Sequence, residues 1–180
     1  MYCGTNKIAL ASQQQIADAM VRLLQDNQFT DISVSALCRT AGVSRQTFYS
    51  LYASKENVII ALLRGYRYVP EEEAPCQRPP VCSLTAFCTQ FAHYLKDNTS
   101  LIRSLARNNI LYLIYDSFYA SITDCCGFLG TLPEADRQYT AAFIAMGFTG
   151  IARTYIERGA SDSADYLEGE ILRLFRGQYL

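Results

Sequence analysis

The stretch "AGVSRQTFYSLYASKE", Ala41 to Glu56, sets a glycine between two short segments and then offers two serines as helix caps. Ahead of it, "VSALCRTA" places Val34, Leu37, Cys38 and Ala41 on one helical face, with Ser33 at the N-cap position. Gly42 follows as a helix C-terminal glycine should. Ser44 is positioned to cap a second helix, Arg45 to about Tyr52, and Ser54 a third. Two short helices joined by a glycine turn form a helix-turn-helix, and this reading organises the rest of the chain.

On the second of these helices Phe48, Leu51 and Tyr52 face inward at three- and four-residue spacing, leaving Arg45, Gln46, Thr47 and Tyr49 outward. Arginine pairs with guanine, glutamine with adenine, and a threonine methyl contacts thymine. A tyrosine hydroxyl reaches phosphate oxygen. Lys55, opening the next helix, is suited to a charge-assisted phosphate contact. Ser44 stands at a helix N-terminus, which itself favours phosphate.

The surrounding segments also read as helix. From Thr5 to Asp26, Ile8, Ile16, Ala19, Met20, Leu23 and Leu24 recur at helical steps, with Thr5 as a cap. Phe29 and Ile32 are available to plug a core, and Val58, Ile59, Ala61, Leu62 and Leu63 line the inner side of the helix after Ser54. "PEEEAPCQRPPVC", Pro70 to Cys82, holds four of the five prolines and reads as a linker or irregular loop. Helical stretches follow near 83–97, 99–107 and 109–125. Thr131, Pro133 and Glu134 read as a capping box for a helix that ends at Gly159, and a last helix spans about 163–176. The expected fold is all-α. An N-terminal three-helix domain with the helix-turn-helix occupies 1–53, a connecting helix 54–69, and a helical C-terminal domain 70–180.

Composition narrows the function. Of 180 residues, 50% are hydrophobic, which a globular chain needs and a disordered one lacks. No apolar run is long enough to span a membrane, and the N-terminus lacks a secretory signal, so the expected location is the cytoplasm. Net charge is -1, yet residues 1–69 hold seven basic residues against four acidic, and the remainder nine against thirteen. That asymmetry suits an N-terminal part that meets a polyanion. With a single histidine, His93, and no repeated pairs among the seven cysteines, neither a metal site nor a cofactor is expected. No nucleophile–base pair and no glycine-rich phosphate loop argues for an enzyme.

"ISVSALCRTAGVSRQTFYSLYASKENVIIAL", Ile32 to Leu62, resembles the DNA-binding signature of the TetR family of transcriptional regulators. The likeness extends back through "TNKIALASQQQIADAMVRLLQDNQFTDI" and covers about residues 5–66, with the glycine turn, "TFY" and "SKE" at the family's spacing. The resemblance implies DNA contacts from Ser33, Arg45, Gln46, Thr47, Tyr49 and Lys55, and a phosphate contact from Lys7. Leu51 departs from the pattern, standing where many members carry a histidine or another polar residue; Tyr52 and Ala53 depart as well. The resemblance also implies a homodimer on a palindromic operator and a C-terminal domain that binds a small-molecule effector, most often in a repressor.

The residues beyond 70 are compatible with those roles. Phe87, Phe91, Tyr94, Tyr112, Tyr115 and Tyr119 supply rings and hydroxyls suited to lining an apolar pocket, and equally suited to an ordinary core. The helix around Ala141 to Ile156 is apolar nearly all round, so it is expected to be covered on more than one side. Ala142, Ala145, Gly150 and Thr154, with Arg153 beside them, are the candidates for a dimer interface. Two alternatives stand beside the ligand-responsive regulator. One is a redox-sensing regulator working through Cys125 and Cys126, or through Cys76 and Cys82. The other is a small-molecule-binding protein or enzyme with a vestigial helix-turn-helix.

Overall fold

The computed structural model describes residues 7–64, 84–124, 129–130 and 132–178. Among the described residues there are helices and turns and no strand. The chain divides into two compact units, Met1–Pro75 and Cys76–Leu180.

In the first unit α1 spans Lys7–Asp26, followed by a single 3-10 turn at Phe29–Asp31. Then come α2 (Val34–Ala41), α3 (Arg45–Leu51) and α4 (Lys55–Leu63). Helix α1 is the spine against which the other three pack. Its buried stripe of Ile16, Ala19, Met20 and Leu24 has the spacing of one helical face. Leu37 and Cys38 of α2, Phe48 and Leu51 of α3, Val58 and Ile59 of α4, and the plug residues Phe29 and Ile32 complete the core. Tyr52, just past α3, is buried too.

Each short helix starts on a serine. Ser33 Oγ accepts from the Ala36 amide at 3.1 Å, Ser44 Oγ from Thr47 at 2.9 Å, and Ser54 Oγ from Asn57 at 3.4 Å. These bonds satisfy amides that a helix N-terminus leaves orphaned. Helix α2 stops at Gly42, whose φ of 70° is left-handed, and the Val43 amide reaches back to the Cys38 carbonyl at 3.0 Å. Helices as short as α2 and α3, eight and seven residues, would not persist in isolation. Their caps and their buried faces hold them.

The second unit contains α5 (Leu84–Asp97), α6 (Thr99–Arg107), α7 (Tyr112–Asp124), α8 (Glu134–Glu157) and α9 (Ala164–Phe175). Helix α8 pairs with α7 and touches α6, while α5 pairs with α9. An aromatic cluster ties four of the helices. Phe91 lies 4.4 Å from Phe148 and 5.2 Å from Phe118, ring centre to ring centre, and Phe148 lies 4.9 Å from Phe175. Gly147 permits this packing, because a Cβ there would come within 3.0 Å of the Phe175 ring. Polar ties sit at the edges: Thr89 Oγ1 donates to Glu168 at 2.8 Å and Lys96 Nζ to the Asp162 carbonyl at 2.8 Å.

The start of α8 differs from the expected capping box. The helix begins at Glu134 with Pro133 itself in the cap position and no side-chain cap bond. Proline contributes no amide there, and its fixed φ suits a helix entry. Thr5, Thr131, the proline-rich stretch 70–82 and Cys125 and Cys126 lie outside the described residues.

Candidate nucleic-acid interface

Helix α3 has one sealed face and one open face. Phe48 and Leu51 are buried, whereas Arg45, Gln46 and Tyr49 are exposed. Tyr49 is 52% exposed although it is a large ring that the core could have absorbed. Its ring stands edge-on to Phe48, with centres 5.3 Å apart and planes at 87°. Such edge-to-face contact is a preferred aromatic geometry, and it holds Tyr49 outward.

The start of α3 is tied down further. Ser44 Oγ and Thr47 Oγ1 share a hydrogen bond at 2.8 Å, so Ser44 caps the helix and fixes the Thr47 hydroxyl together. Arg45 reaches across to α2, where Nη1 donates to Ser35 Oγ at 3.1 Å. The same guanidinium lies 6.0 Å from the centre of the Tyr49 ring, at the outer limit of a cation–π contact. Arg45 is thus linked to both Ser35 and Tyr49, while Ser44 and Thr47 form a separate pair at the helix start. Ser33 is exposed at the start of α2 and Lys7 at the start of α1. Ser35 escaped the sequence reading. It is a small hydroxyl ten residues from Arg45, and only the turn between the helices brings the two together.

Lys55 is placed otherwise than expected. Its Nζ donates to the carbonyls of Phe29 at 2.6 Å, Ile32 at 3.0 Å and Thr30 at 3.4 Å, and lies 4.3 Å from the Phe29 ring centre. An ammonium has three donors, and three carbonyls occupy them. Lys55 clasps the α1–α2 turn to the start of α4, so its ammonium is engaged within the protein and not held free for the expected phosphate contact.

In the second unit the expected lining residues are not equivalent. Phe91 is buried core within the aromatic cluster. Tyr115 and Tyr119 are half-buried and stacked on α7, 5.7 Å apart. Tyr112, at the start of α7, is 53% exposed and is the least covered of these rings whose burial is described. The Phe87 side chain lies outside the described residues. Tyr94 is the distinctive one. Its hydroxyl is buried and finds no hydrogen-bond partner among the described residues, and burial raises its pKa well above the ordinary phenol value.

On α8, Gly150, Arg153 and Thr154 are exposed, Ala142 is half-buried, and Ala145 is buried within its own unit. Ala145 is thus corrected to core. The sequence reading missed the large residues of the open face: Tyr139, Phe143 and Met146 are 82%, 62% and 59% exposed. With Gly150 they form a stripe at steps of three and four residues. Cys38 and Cys88 are buried, and burial pushes both thiols above their ordinary pKa, Cys88 to about 11. Among the described residues no helix is long and apolar enough to cross a membrane.

The capped two-helix motif with an open polar face is that of a helix-turn-helix DNA-binding domain. Residues 16–62 match the family described as "Bacterial regulatory proteins, tetR family". The match takes in the helix-turn-helix domain and leaves the second unit outside it. Among curated proteins, it is 48% identical over 42 residues to the HTH-type transcriptional regulator EthR of Mycolicibacterium smegmatis, covering 23% of this chain and 19% of EthR. It is 38% identical over 53 residues to the dhaKLM operon transcriptional activator DhaS of Lactococcus lactis, covering 29% of this chain and 28% of DhaS. The matched stretch thus spans less than a third of these relatives.

Solved structures extend the likeness of fold along the chain. A TetR transcriptional regulator from Streptococcus agalactiae superposes with a TM-score of 0.56 at 17% identity, covering 94% of this chain and 96% of its own. NalD of Pseudomonas aeruginosa, the secondary repressor of the MexAB-OprM multidrug efflux pump, gives a TM-score of 0.56 at 17% identity, covering 95% of this chain and 97% of its own. The layout of a helix-turn-helix domain followed by a helical domain is shared with them.

Proposed function

We propose that the chain is a ligand-responsive transcriptional regulator that binds a palindromic operator as a homodimer, most simply as a repressor, and catalyses no reaction. The observation that carries this reading is the open face of α3. Arg45, Gln46 and Tyr49 stand exposed on a helix whose opposite side is sealed by Phe48 and Leu51. Side chains of these types at the start of a recognition helix are suited to base edges and phosphates.

A dimer is supported by the exposed apolar stripe of α8, which in a monomer would leave Tyr139, Phe143 and Met146 in water. It is also supported by the shortness of α3, since two half-sites give an affinity that seven residues lack. A small-molecule effector is supported by the buried hydroxyl of Tyr94, which finds no hydrogen-bond partner among the described residues. Such an effector would act by its differential affinity for the DNA-competent and DNA-incompetent states. The redox alternative rests on Cys125 and Cys126, or on Cys76 and Cys82, all outside the described residues; Cys38 and Cys88 do not add to it, since burial opposes their thiolates.

The test is fluorescence anisotropy with the duplex upstream of the gene, at two salt concentrations, against a scrambled competitor. A complex that resists the competitor and weakens with salt supports the reading. Binding without sequence preference, or none, defeats it. A reporter fused to the same duplex then separates repression, as by the repressor NalD, from activation, as by the activator DhaS.

A further inference from the structure

We infer that Ser35, on α2, is a positioning residue for base choice: it holds the Arg45 guanidinium, with Tyr49 on its other side, in the pose that reads a guanine. The inference rests on the DNA-binding reading above and adds to it a residue and a mechanism.

An arginine at the surface samples many rotamers and loses that freedom when it docks, so a pre-set guanidinium binds at lower entropic cost. Arg45 is pre-set from two directions. Nη1 donates to Ser35 Oγ at 3.1 Å, and the guanidinium carbon lies 6.0 Å from the Tyr49 ring centre. Both supports are themselves anchored. Ser35 stands in the first turn of α2, whose start is fixed by the Ser33 cap at 3.1 Å. Tyr49 stands edge-on to the fully buried Phe48. The core therefore extends through Phe48 and Tyr49 to one side of Arg45, and through α2 and Ser35 to the other.

The chemistry of the guanidinium fits a division of labour. It carries five N–H donors in a planar fork. Ser35 engages Nη1, which leaves the Nε–Nη2 edge as a parallel pair of donors, and a parallel pair is what the O6 and N7 acceptors of guanine require. Ser35 is neutral, so its contribution is to direction and not to the phosphate term that sets salt dependence. Base choice then depends on a residue of the first helix of the motif that need not touch a base.

The test is selection of the full-length protein on a randomised duplex pool, followed by affinity measurements on the winning duplex and its single-base variants. Arg45→Ala should abolish the guanine preference at one position of each half-site, on the order of tenfold or more. Ser35→Ala should relax the same position by roughly threefold, the size expected for one lost hydrogen bond, with the salt slope unchanged. Ser35→Thr, which keeps the hydroxyl, should retain the preference. In an Arg45→Ala background, Ser35→Ala should have no further effect on base preference, since it works through Arg45. A uniform loss across all sequences, a change at a different position, an effect that survives in the Arg45→Ala background, or no effect at all each overturns the inference. If wild-type protein enriches no sequence, the DNA-binding reading fails and the inference with it; enrichment by the wild type with an indifferent Ser35→Ala sinks the inference alone.

Discussion

Lys55 grips Phe29 at two points: its ammonium donates to the Phe29 carbonyl at 2.6 Å and lies 4.3 Å from the centre of the Phe29 ring. The two residues are separated by 26 positions, and the ring is buried. The contact therefore closes the turn after α1 onto the start of α4. A cation that satisfies three carbonyls and faces an aromatic ring contributes more than an exposed ion pair does. Lys55→Met should destabilise the N-terminal unit by about 1–3 kcal/mol in denaturant unfolding. It should leave the salt slope of DNA binding unchanged, whereas loss of a phosphate contact would lower that slope by about one. A changed slope with unchanged stability would restore Lys55 to the DNA surface.

Gly42 carries a second prediction. Its φ is 70°, yet a Cβ built there meets nothing within 4 Å. The cost of a side chain is thus backbone strain and not collision. Gly42→Ala should lower stability by roughly 1–2 kcal/mol, the usual penalty for a non-glycine residue in the left-handed region. Gly42→Asn should cost less, because asparagine tolerates that region better. Thermal melts of the two variants compare them directly. Equal losses would point to a cause other than φ.

Most of the helix-turn-helix is legible in the sequence because its determinants are local. Ser33, Ser44 and Ser54 act on amides three residues away, and Gly42 acts on its own φ. The clasp of Lys55 on Phe29 and the bond from Arg45 to Ser35 are not local, so no spacing rule announces them. Helix α8 was opaque for another reason. Its apolar residues surround it nearly evenly, so periodicity could not tell the buried Ala145 from the exposed Phe143 two residues earlier. Of the small residues expected at the open face, Gly150 and Thr154 lie there, and the large side chains of Tyr139, Phe143 and Met146 lie there as well.

That open face gives the third prediction. Tyr139, Phe143, Met146 and Gly150 form one apolar stripe, and a Cβ on Gly150 would meet only open space. Within the protomer these positions are exposed, and Phe143 meets the Phe175 ring, edge to face at 6.3 Å between centres. Across a two-fold axis they would face their own copies, where a charge meets a like charge and loses solvent. Phe143→Glu should therefore convert a dimer into a monomer in sedimentation velocity while leaving the helical content unchanged. Specific DNA affinity should fall steeply, since each protomer would then bind one half-site alone. Persistence of the dimer in Phe143→Glu would move the interface elsewhere.

Cys88 sets a pH dependence whose sign follows from its burial. Desolvation, with help from the Glu168 carboxylate and against Arg176, lifts the folded thiol from 9.0 to about 11. Below about pH 9 the thiol is protonated in both folded and unfolded chains, and its contribution to stability is fully present. Between about pH 9 and pH 11 the unfolded chain releases its proton first, which favours unfolding, so stability falls as pH rises through that window. The buried Tyr94 hydroxyl, also raised, acts in the same direction from its ordinary value of 10.0 upward. Denaturant unfolding between pH 8 and pH 11 should show this decline. Cys88→Ala should be less stable at neutral pH, through lost packing, yet decline less steeply over the same window. Iodoacetamide at pH 8 offers an independent check, read by mass spectrometry. The folded protein should leave Cys88 unalkylated, and denaturant should expose it; ready alkylation in the native state would show that burial does not protect this thiol.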